Sequence, residues 1–146
     1  MKNRIFNTLK AFSACALLAV SCLSAQSDHR ITVNIPFDFV VKNQHMSAGT
    51  YDVTTDLVRS TVLIRGENSD SAAFALSFAA YAGTTPTQAK VVFKRYGERY
   101  FLSQVWYPAT NLGREIGASK VERELARSSG KPEIIALLAS APKAAH

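Results

Sequence analysis

The sequence predicts a mainly β protein: a small antiparallel β-sandwich or β-barrel of six to eight strands, with one short helix in the C-terminal half. Three observations support this fold class. Short runs rich in β-branched and aromatic residues recur along the chain. Glycine, proline and small polar residues separate these runs, as turns do. Only one stretch combines helical spacing of apolar residues with an unambiguous signal for a helix start.

The first predicted strands lie at 30–41, in RITVNIPFDFVV. Pro36 interrupts this run, and proline cannot donate a hydrogen bond to a neighbouring strand. We therefore expect two short strands with a break between them. Residues 42–49, KNQHMSAG, are expected to form a turn that ends at a glycine.

Two further strands are predicted at 50–55 (TYDVTT) and 60–66 (STVLIRG). In the first of them, apolar and polar residues alternate, which is typical of a strand with one buried face. Tyr51 and Val53 are expected on that buried face. The polar residues after the second strand, ENSDS, are expected to form the loop of a hairpin.

Residues 70–83, DSAAFALSFAAYAG, fit two interpretations. As a helix, the segment would begin at an aspartate N-cap and end at a glycine, and its alanines would favour helix. As a strand, it would place Phe74, Leu76 and Phe78 inward and the small residues outward. The strands predicted around it favour the strand, which we adopt.

The strongest structural signal lies at 90–107, where two β-rich runs flank Gly97-Glu98. A two-residue turn that begins with glycine suits a β-hairpin. The resulting register pairs Tyr96 with Arg99, Lys94 with Phe101, and Phe93 with Leu102. One face would be core: Val91, Phe93, Leu102 and Trp106. The other would be the outer face: Lys94, Tyr96, Arg99, Phe101, Ser103 and Tyr107.

The one predicted helix lies at 119–128. Ser119 followed by Glu122 forms a capping box, in which each side chain bonds the backbone of the other residue. Val121 and Leu125 are four residues apart and would form its apolar face.

The remaining C-terminal segments are expected to be simple. Residues 109–117 are expected to form a loop. Residues 133–140, EIIALLAS, are expected to form a closing strand, and 141–146 a loose tail.

Residues 1–25 have the pattern of a secretory signal peptide. The first ten residues contain no acid and three basic side chains: Lys2, Arg4 and Lys10. Residues 11–25 carry no charge, and this run is shorter than the roughly 20 apolar residues that a transmembrane helix needs. We expect cleavage after Ala25, which leaves a single β domain at 26–146 with no transmembrane anchor.

An alternative processing site lies at Cys22. The segment Leu18 to Cys22 resembles a bacterial lipobox, so the protein could instead carry a lipid anchor at this cysteine. Both cysteines of the chain, Cys15 and Cys22, lie within residues 1–25. After cleavage at Ala25, disulfides, thiol catalysis and cysteine-ligated metals are therefore excluded.

The charge of the chain gives little support to nucleic-acid binding. Removal of residues 1–25 takes away three basic residues and no acid, which leaves 14 basic and 11 acidic residues and a net charge of +3. We expect no nucleic-acid partner, because this charge is small and an exported protein rarely meets nucleic acids.

Five stretches occur together in this order: PFDFVV, SAGTYDV, KVVFKRYGERYFLSQVW, GREI and SKVERELAR. Their combination resembles an uncharacterised family of small exported β-rich proteins from soil bacteria of the acidobacterial type. The resemblance spans about residues 31–138. It implies a compact β domain with one short helix, and it implies no reaction.

No pattern in the sequence predicts catalysis. The three histidines, His29, His45 and His146, are scattered, and no hydrolase or phosphate-binding motif is present. We expect no catalytic residue, no cofactor and no bound metal. The best candidate for a ligand or partner surface is the outer face of the hairpin, where cations lie beside aromatic rings: Lys94, Tyr96, Arg99 and Tyr107. A solvated hairpin tip explains the same residues.

The leading functional hypothesis is therefore a non-enzymatic exported protein, periplasmic or secreted, which serves as an interaction or structural module for an unknown envelope component. The alternative is a β-barrel that binds a small apolar or anionic ligand. Six aromatic residues could then line the cavity: Phe37, Phe39, Phe74, Phe78, Phe93 and Trp106. An enzyme of unrecognised type is a third hypothesis.

Overall fold

The computed structural model describes residues 29–141, which form ten strands and one helix. The predicted signal peptide, with Cys22, and residues 142–146 of the predicted tail lie outside the described residues. The strands are β1 (His29–Ile35), β2 (Phe39–Val41), β3 (Gln44–Met46), β4 (Gly49–Asp56), β5 (Thr61–Gly66), β6 (Ala72–Tyr81), β7 (Lys90–Tyr96), β8 (Arg99–Trp106), β9 (Leu112–Ile116) and β10 (Glu133–Leu138). The helix is α1 (Lys120–Ser129).

The predicted fold class is confirmed: the protein is mainly β with one helix in its C-terminal half. The described residues contain ten strands rather than six to eight. One additional strand, β3, lies within the predicted turn at 42–49. Another, β9, lies within the predicted loop at 109–117. The expectation of a loop there was wrong because Gly113 and Gly117 were taken as breaks, whereas Gly113 is paired inside the sheet.

The strands form one open sheet in the order β1-β4-β5-β6-β9-β8-β2-β3, and β7 lies on the other side of β8, followed by β10. Neighbouring strands are antiparallel except β2 and β8, which run parallel. Strands β1 and β10 lie at two ends of the sheet. They meet at one isolated bridge, where Thr32 and Ser140 exchange two backbone hydrogen bonds of 2.9 Å. The arrangement is sandwich-like.

The inner faces of the strands enclose the main hydrophobic core. Strand β4 shows the predicted alternation, with Tyr51 and Val53 buried. The rings of Phe37, Phe39 and Phe93 meet edge to face, with centroids 5.2 Å apart for Phe37–Phe93 and 5.5 Å apart for Phe39–Phe93. Each fully buried large side chain stabilises the fold by about 1.5–3 kcal/mol, so these inner faces provide most of the folding free energy.

The hairpin of β7 and β8 has the predicted register, including Tyr96 opposite Arg99 and Phe93 opposite Leu102. Gly97 has a φ of 61°, a conformation that suits glycine and explains its place at the first turn position. Val91, Phe93 and Leu102 lie in the main core as predicted. The register shifts between Val92 and Phe93, because β8 has one extra residue at Ser103. Beyond this β-bulge the two faces of β8 are exchanged relative to the prediction: Tyr107 faces the main core, and Trp106, although buried, lies on the outer face.

The helix begins as the capping box predicts, since the Ser119 side chain accepts a 3.1 Å hydrogen bond from the Glu122 backbone N–H. Its packed face differs from the prediction. Val121 is exposed, whereas Glu122 is buried and Leu125 and Ala126 pack against the sheet. Glu122, the third residue after the N-cap Ser119, therefore lies at the contact with the sheet.

Candidate functional site

The four residues predicted as a ligand surface do not lie together on an exposed face. Tyr96 and Tyr107 are 7% and 5% exposed, Lys94 is half-buried, and Arg99 is exposed at the hairpin tip. Two of the four are therefore part of the interior. The expectation of an open outer face on this hairpin was wrong for two reasons. Helix α1 covers Tyr96. Tyr107 lies in the main core, because the register shift in β8 turns it to the inner face.

The cover is a second, smaller apolar cluster. Val40, Tyr96 and Phe101 are buried on the outer face of the sheet, and Leu125 and Ala126 of α1 pack on them. The rings of Tyr96 and Phe101 meet edge to face with centroids 6.0 Å apart. Above them, the Arg99 guanidinium lies 5.5 Å from the Phe101 ring. The aromatic rings noticed in the sequence thus form the surface on which the helix packs.

Glu122 is the buried charge at this contact. Desolvation raises the pKa of its carboxyl, and the positive charges of Lys94 and Lys42 and a bond from the Ser119 backbone oppose that rise. The charge of Lys94 is the largest of these opposing effects, so Lys94 lies near the contact between helix and sheet.

Tyr107 lies at the other end of β8 and points into the protein. Its hydroxyl donates a 2.7 Å hydrogen bond to the carbonyl of His29. Since a tyrosine has one hydroxyl proton, the 2.6 Å contact with Thr55 must be donated by the threonine. Desolvation raises the pKa of Tyr107 to about 12, and the bond from Thr55 opposes that rise.

Strand β6 is a strand, as predicted, but its two faces are reversed. Ala73, Ala75 and Ser77 are buried. Pairing with β5 fixes this orientation, because Ala73 lies opposite Ile64 and opposed residues share a face. Alternation alone had indicated which residues share a face, not which face is inside.

Three large side chains of β6 consequently point away from the core, with exposed fractions of 60% for Phe74, 62% for Leu76 and 65% for Phe78. We call these three residues the β6 stripe. Tyr81 is also exposed, but it is an odd number of residues from them along the strand and therefore belongs to the opposite face. Phe74 and Phe78 therefore do not line a cavity, whereas Phe39, Phe93 and Trp106 from the same predicted set are buried and Phe37 packs against the core.

A buried arginine fixes β9 against β6. Arg114 is 6% exposed, and its guanidinium donates bonds of 3.0 Å to the Ser77 hydroxyl and 2.8 Å to the Ser77 carbonyl. This contact fixes the position of β6 at Ser77, next to Phe78 of the stripe. Sequence reasoning missed it because β9 was taken as a loop.

An open groove of about 600 Å³ lies on the outer face of β8, β7 and β10. We call it the β10 groove. One wall is the loop at 82–88. The other lining residues lie on the strands: Lys90, Val92, Gln104, Trp106, Ile134, Ala136 and Leu138.

Within residues 29–141, no three histidine, cysteine, aspartate or glutamate side chains come together as a metal site would require. The same part of the chain contains no helix with the length and apolar character needed to cross a membrane.

Comparison of the chain with known protein families, curated proteins and solved structures gave no match. We therefore infer function from the two surfaces just described, the β6 stripe and the β10 groove.

Proposed function

We propose that the protein is an exported, non-enzymatic β module that binds a component of the cell envelope through the β6 stripe. The observation that carries the proposal is the exposure of three large apolar side chains on one face of β6, each at least 60% exposed: Phe74, Leu76 and Phe78. Single exposed apolar residues are common in proteins, but a contiguous set marks a contact surface.

The size of the stripe supports a real contact. Large apolar side chains bury about 150–250 Å² each, so three residues exposed to this extent present roughly 400 Å² of apolar surface. At about 25 cal/mol per Å², covering it would yield on the order of 10 kcal/mol before the costs of association. This area is comparable to the largest apolar patch that a typical monomer exposes.

Strand pairing holds the side chains of the stripe in position. Strand β6 pairs with β5 along residues 72–76 and with β9 along residues 77–81. Alternate residues on one face are about 7 Å apart, so Phe74 and Phe78 span about 13 Å on a fixed frame. A partner would therefore meet a preformed row of side chains.

Export is the second part of the proposal and is supported by the signal-peptide pattern of residues 1–25. N-terminal sequencing and intact mass of the native protein test it. A mature chain that begins at Gln26 supports cleavage at Ala25, and a lipid-modified Cys22 supports export with an anchor. A native protein that retains Met1 would contradict export.

Site-specific photocrosslinking in the native cell envelope tests the stripe. A crosslinker placed at Leu76 should give a discrete adduct, because this residue lies in the middle of the stripe. Val58 is the matched control: it is 96% exposed but lies in the turn between β4 and β5, off the stripe. Equal labelling at both positions, or none at Leu76, would refute the proposal.

A further inference from the structure

The floor and walls of the β10 groove are mainly apolar. Val92 and Trp106 belong to the outer faces of β7 and β8, and Ala136 lies opposite Val92 on β10. Ile134 and Leu138 are 58% and 67% exposed, so two large aliphatic side chains of the groove are uncovered. A groove of this volume, about 600 Å³, is within the usual range for small-molecule sites.

The polar side chains on the strand side of the groove are hydrogen-bond donors. Lys90 is paired with Trp106 on β8 and with Leu138 on β10, and within residues 29–141 its side chain makes no ion pair or hydrogen bond. The Gln104 side-chain oxygen accepts a 3.1 Å bond from the Trp106 indole N–H. This contact fixes the amide and leaves its NH₂ group free to donate.

No carboxylate balances this positive charge within the groove. Its lining contains Lys90 and no aspartate or glutamate. On the neighbouring strand β9, Glu115 is opposite Gln104, on the side of β8 away from Lys90. Lys94 is the next outward cation on β7, and its charge faces Glu122 of the helix. Lys90 is thus the cation that remains for a ligand.

The wall opposite β10 is held in position. The loop at 82–88 is anchored at both ends and in the middle by backbone bonds: Ala82 N–H to Asn111 O at 2.9 Å, Ala109 N–H to Pro86 O at 3.1 Å, and Ala139 N–H to Ala89 O at 2.8 Å. The groove is therefore largely preformed, which lowers the ordering cost of binding.

We propose that the β10 groove binds an organic anion with an unbranched apolar body, of the medium-chain carboxylate class. The carboxylate accepts hydrogen bonds from Lys90 and the Gln104 amide. The chain follows β10 past Ala136 toward Ile134. From Leu138 to Ile134 is four residue steps, or about 13 Å, which sets the length of the apolar body. The site is separate from the β6 stripe.

Titration with decanoate tests the proposal, and the protein contains its own reporter. Trp106 is the only tryptophan of the chain and lines the groove. Decanoate below its micelle concentration should change the Trp106 fluorescence in a saturable way. Decanol has the same chain without the charge and should bind at least tenfold more weakly, since a charge-assisted bond is lost.

Three variants separate head-group recognition from unspecific apolar contact. Lys90→Gln should raise the Kd for decanoate at least tenfold and leave the Kd for decanol unchanged. Lys131→Gln, an exposed lysine outside the groove, is the matched control and should change neither. Ala136→Phe should block both ligands by filling the floor, while circular dichroism checks that the variant folds.

Two outcomes would overturn the proposal. If decanoate gives no saturable signal, the groove is not a site for this class of ligand. If decanol binds as tightly as decanoate and Lys90→Gln has no effect, the groove recognises apolar surface alone. Loss of the envelope contact at the β6 stripe would leave this test unaffected, because Lys90 and the stripe lie on different strands.

Discussion

Two regions of the sheet's outer surface can be compared directly: the tip of the β7–β8 hairpin and strand β6. Both carry large apolar side chains at alternate positions. At the hairpin, Phe101 is 2% exposed because α1 covers it. On β6, Phe78 is 65% exposed. The pattern of the strand itself is the same in both regions. Whether its apolar side chains are buried and stabilise the fold, or are exposed and available for contact, depends on the element that covers them.

Small residues make the reversed orientation of β6 possible. Its inner face presents Ala73, Ala75 and Ser77, each nearly inaccessible, to a core that large side chains from other strands already fill. A strand that buries small residues contributes less burial free energy than the hairpin does. Strand β6 therefore supports the sheet while keeping its large residues available.

The sharpest test of this comparison replaces one phenylalanine in each region. Phe101→Ala should destabilise the protein by about 3–5 kcal/mol, because it empties a buried site. Phe78→Ala should change stability by about 0.5 kcal/mol or less, as surface substitutions usually do. Urea denaturation of both variants, followed by circular dichroism, measures the difference.

The outcome also bears on the proposed function. A similar large loss for both variants would mean that the β6 stripe is packed in solution and is not a free contact surface. A small loss for both would mean that α1 does not hold its place on the hairpin.

Much of the fold followed from the sequence because turns and caps are local. Gly97 fixed the hairpin register, and Ser119 with Glu122 fixed the helix start, since each depends on residues close in the chain. Strand β9 escaped prediction because its pairing depends on distant partners. Its two glycines also resembled turn signals.

The candidate site was harder to predict than the fold. Alternation placed Tyr96 and Arg99 on one face, but the burial of Tyr96 depends on α1, which lies more than 20 residues further along the chain. The β6 stripe was read as core for the same reason. Alternation shows which residues of a strand share a face, but it does not show which of the two faces is covered. That depends on the tertiary structure.

The second prediction concerns Tyr107, which was expected on the surface and lies inside. Because its pKa is raised to about 12, the folded state favours the neutral phenol. The neutral Tyr107 side chain therefore contributes to the free energy of unfolding, and this contribution is complete below the unfolded pKa of about 10. It is lost as the pH rises toward 12, and the loss is at most about 2–3 kcal/mol.

Urea titrations at pH 9 to 12 measure this loss of stability. Tyr107→Phe should show a shallower decline, and the remainder comes from Tyr51 and Tyr96, whose pKa values are also raised by burial. Identical slopes for the variant and the wild type would show that Tyr107 is hydrated in the folded protein.

The third prediction concerns Gly113, which lies between the two surfaces. A Cβ at this position would overlap the ring of Trp106, so Gly113→Ala should cost about 1–3 kcal/mol through displacement of the indole. Gly83→Ala is the control, because nothing lies within 4 Å of its Cβ position. A red shift of Trp106 fluorescence in Gly113→Ala alone would confirm the displacement, and equal stability of both variants would contradict it.

The smallest expected change in stability is that of Glu122→Gln. This variant tests whether apolar contacts or charges hold the helix on the hairpin. Burial raises the pKa of Glu122, so its contribution to stability is complete below the unfolded value of 4.5 and declines as the carboxyl ionises in the folded protein. Glutamine keeps the capping box and cannot ionise. The variant should therefore be equal to or slightly more stable than the wild type at pH 7, by less than about 1 kcal/mol.

Glu124→Gln is the matched control for this substitution. Glu124 is exposed, lies 3.9 Å from Lys120, and should contribute almost nothing, as surface ion pairs usually do. If Glu122→Gln instead destabilises the protein by more than about 1 kcal/mol, the attraction of Lys94 and Lys42 outweighs desolvation. The helix would then cover the hairpin through charge, and the hairpin would differ from β6 by its lysines as well as by the apolar side chains of α1.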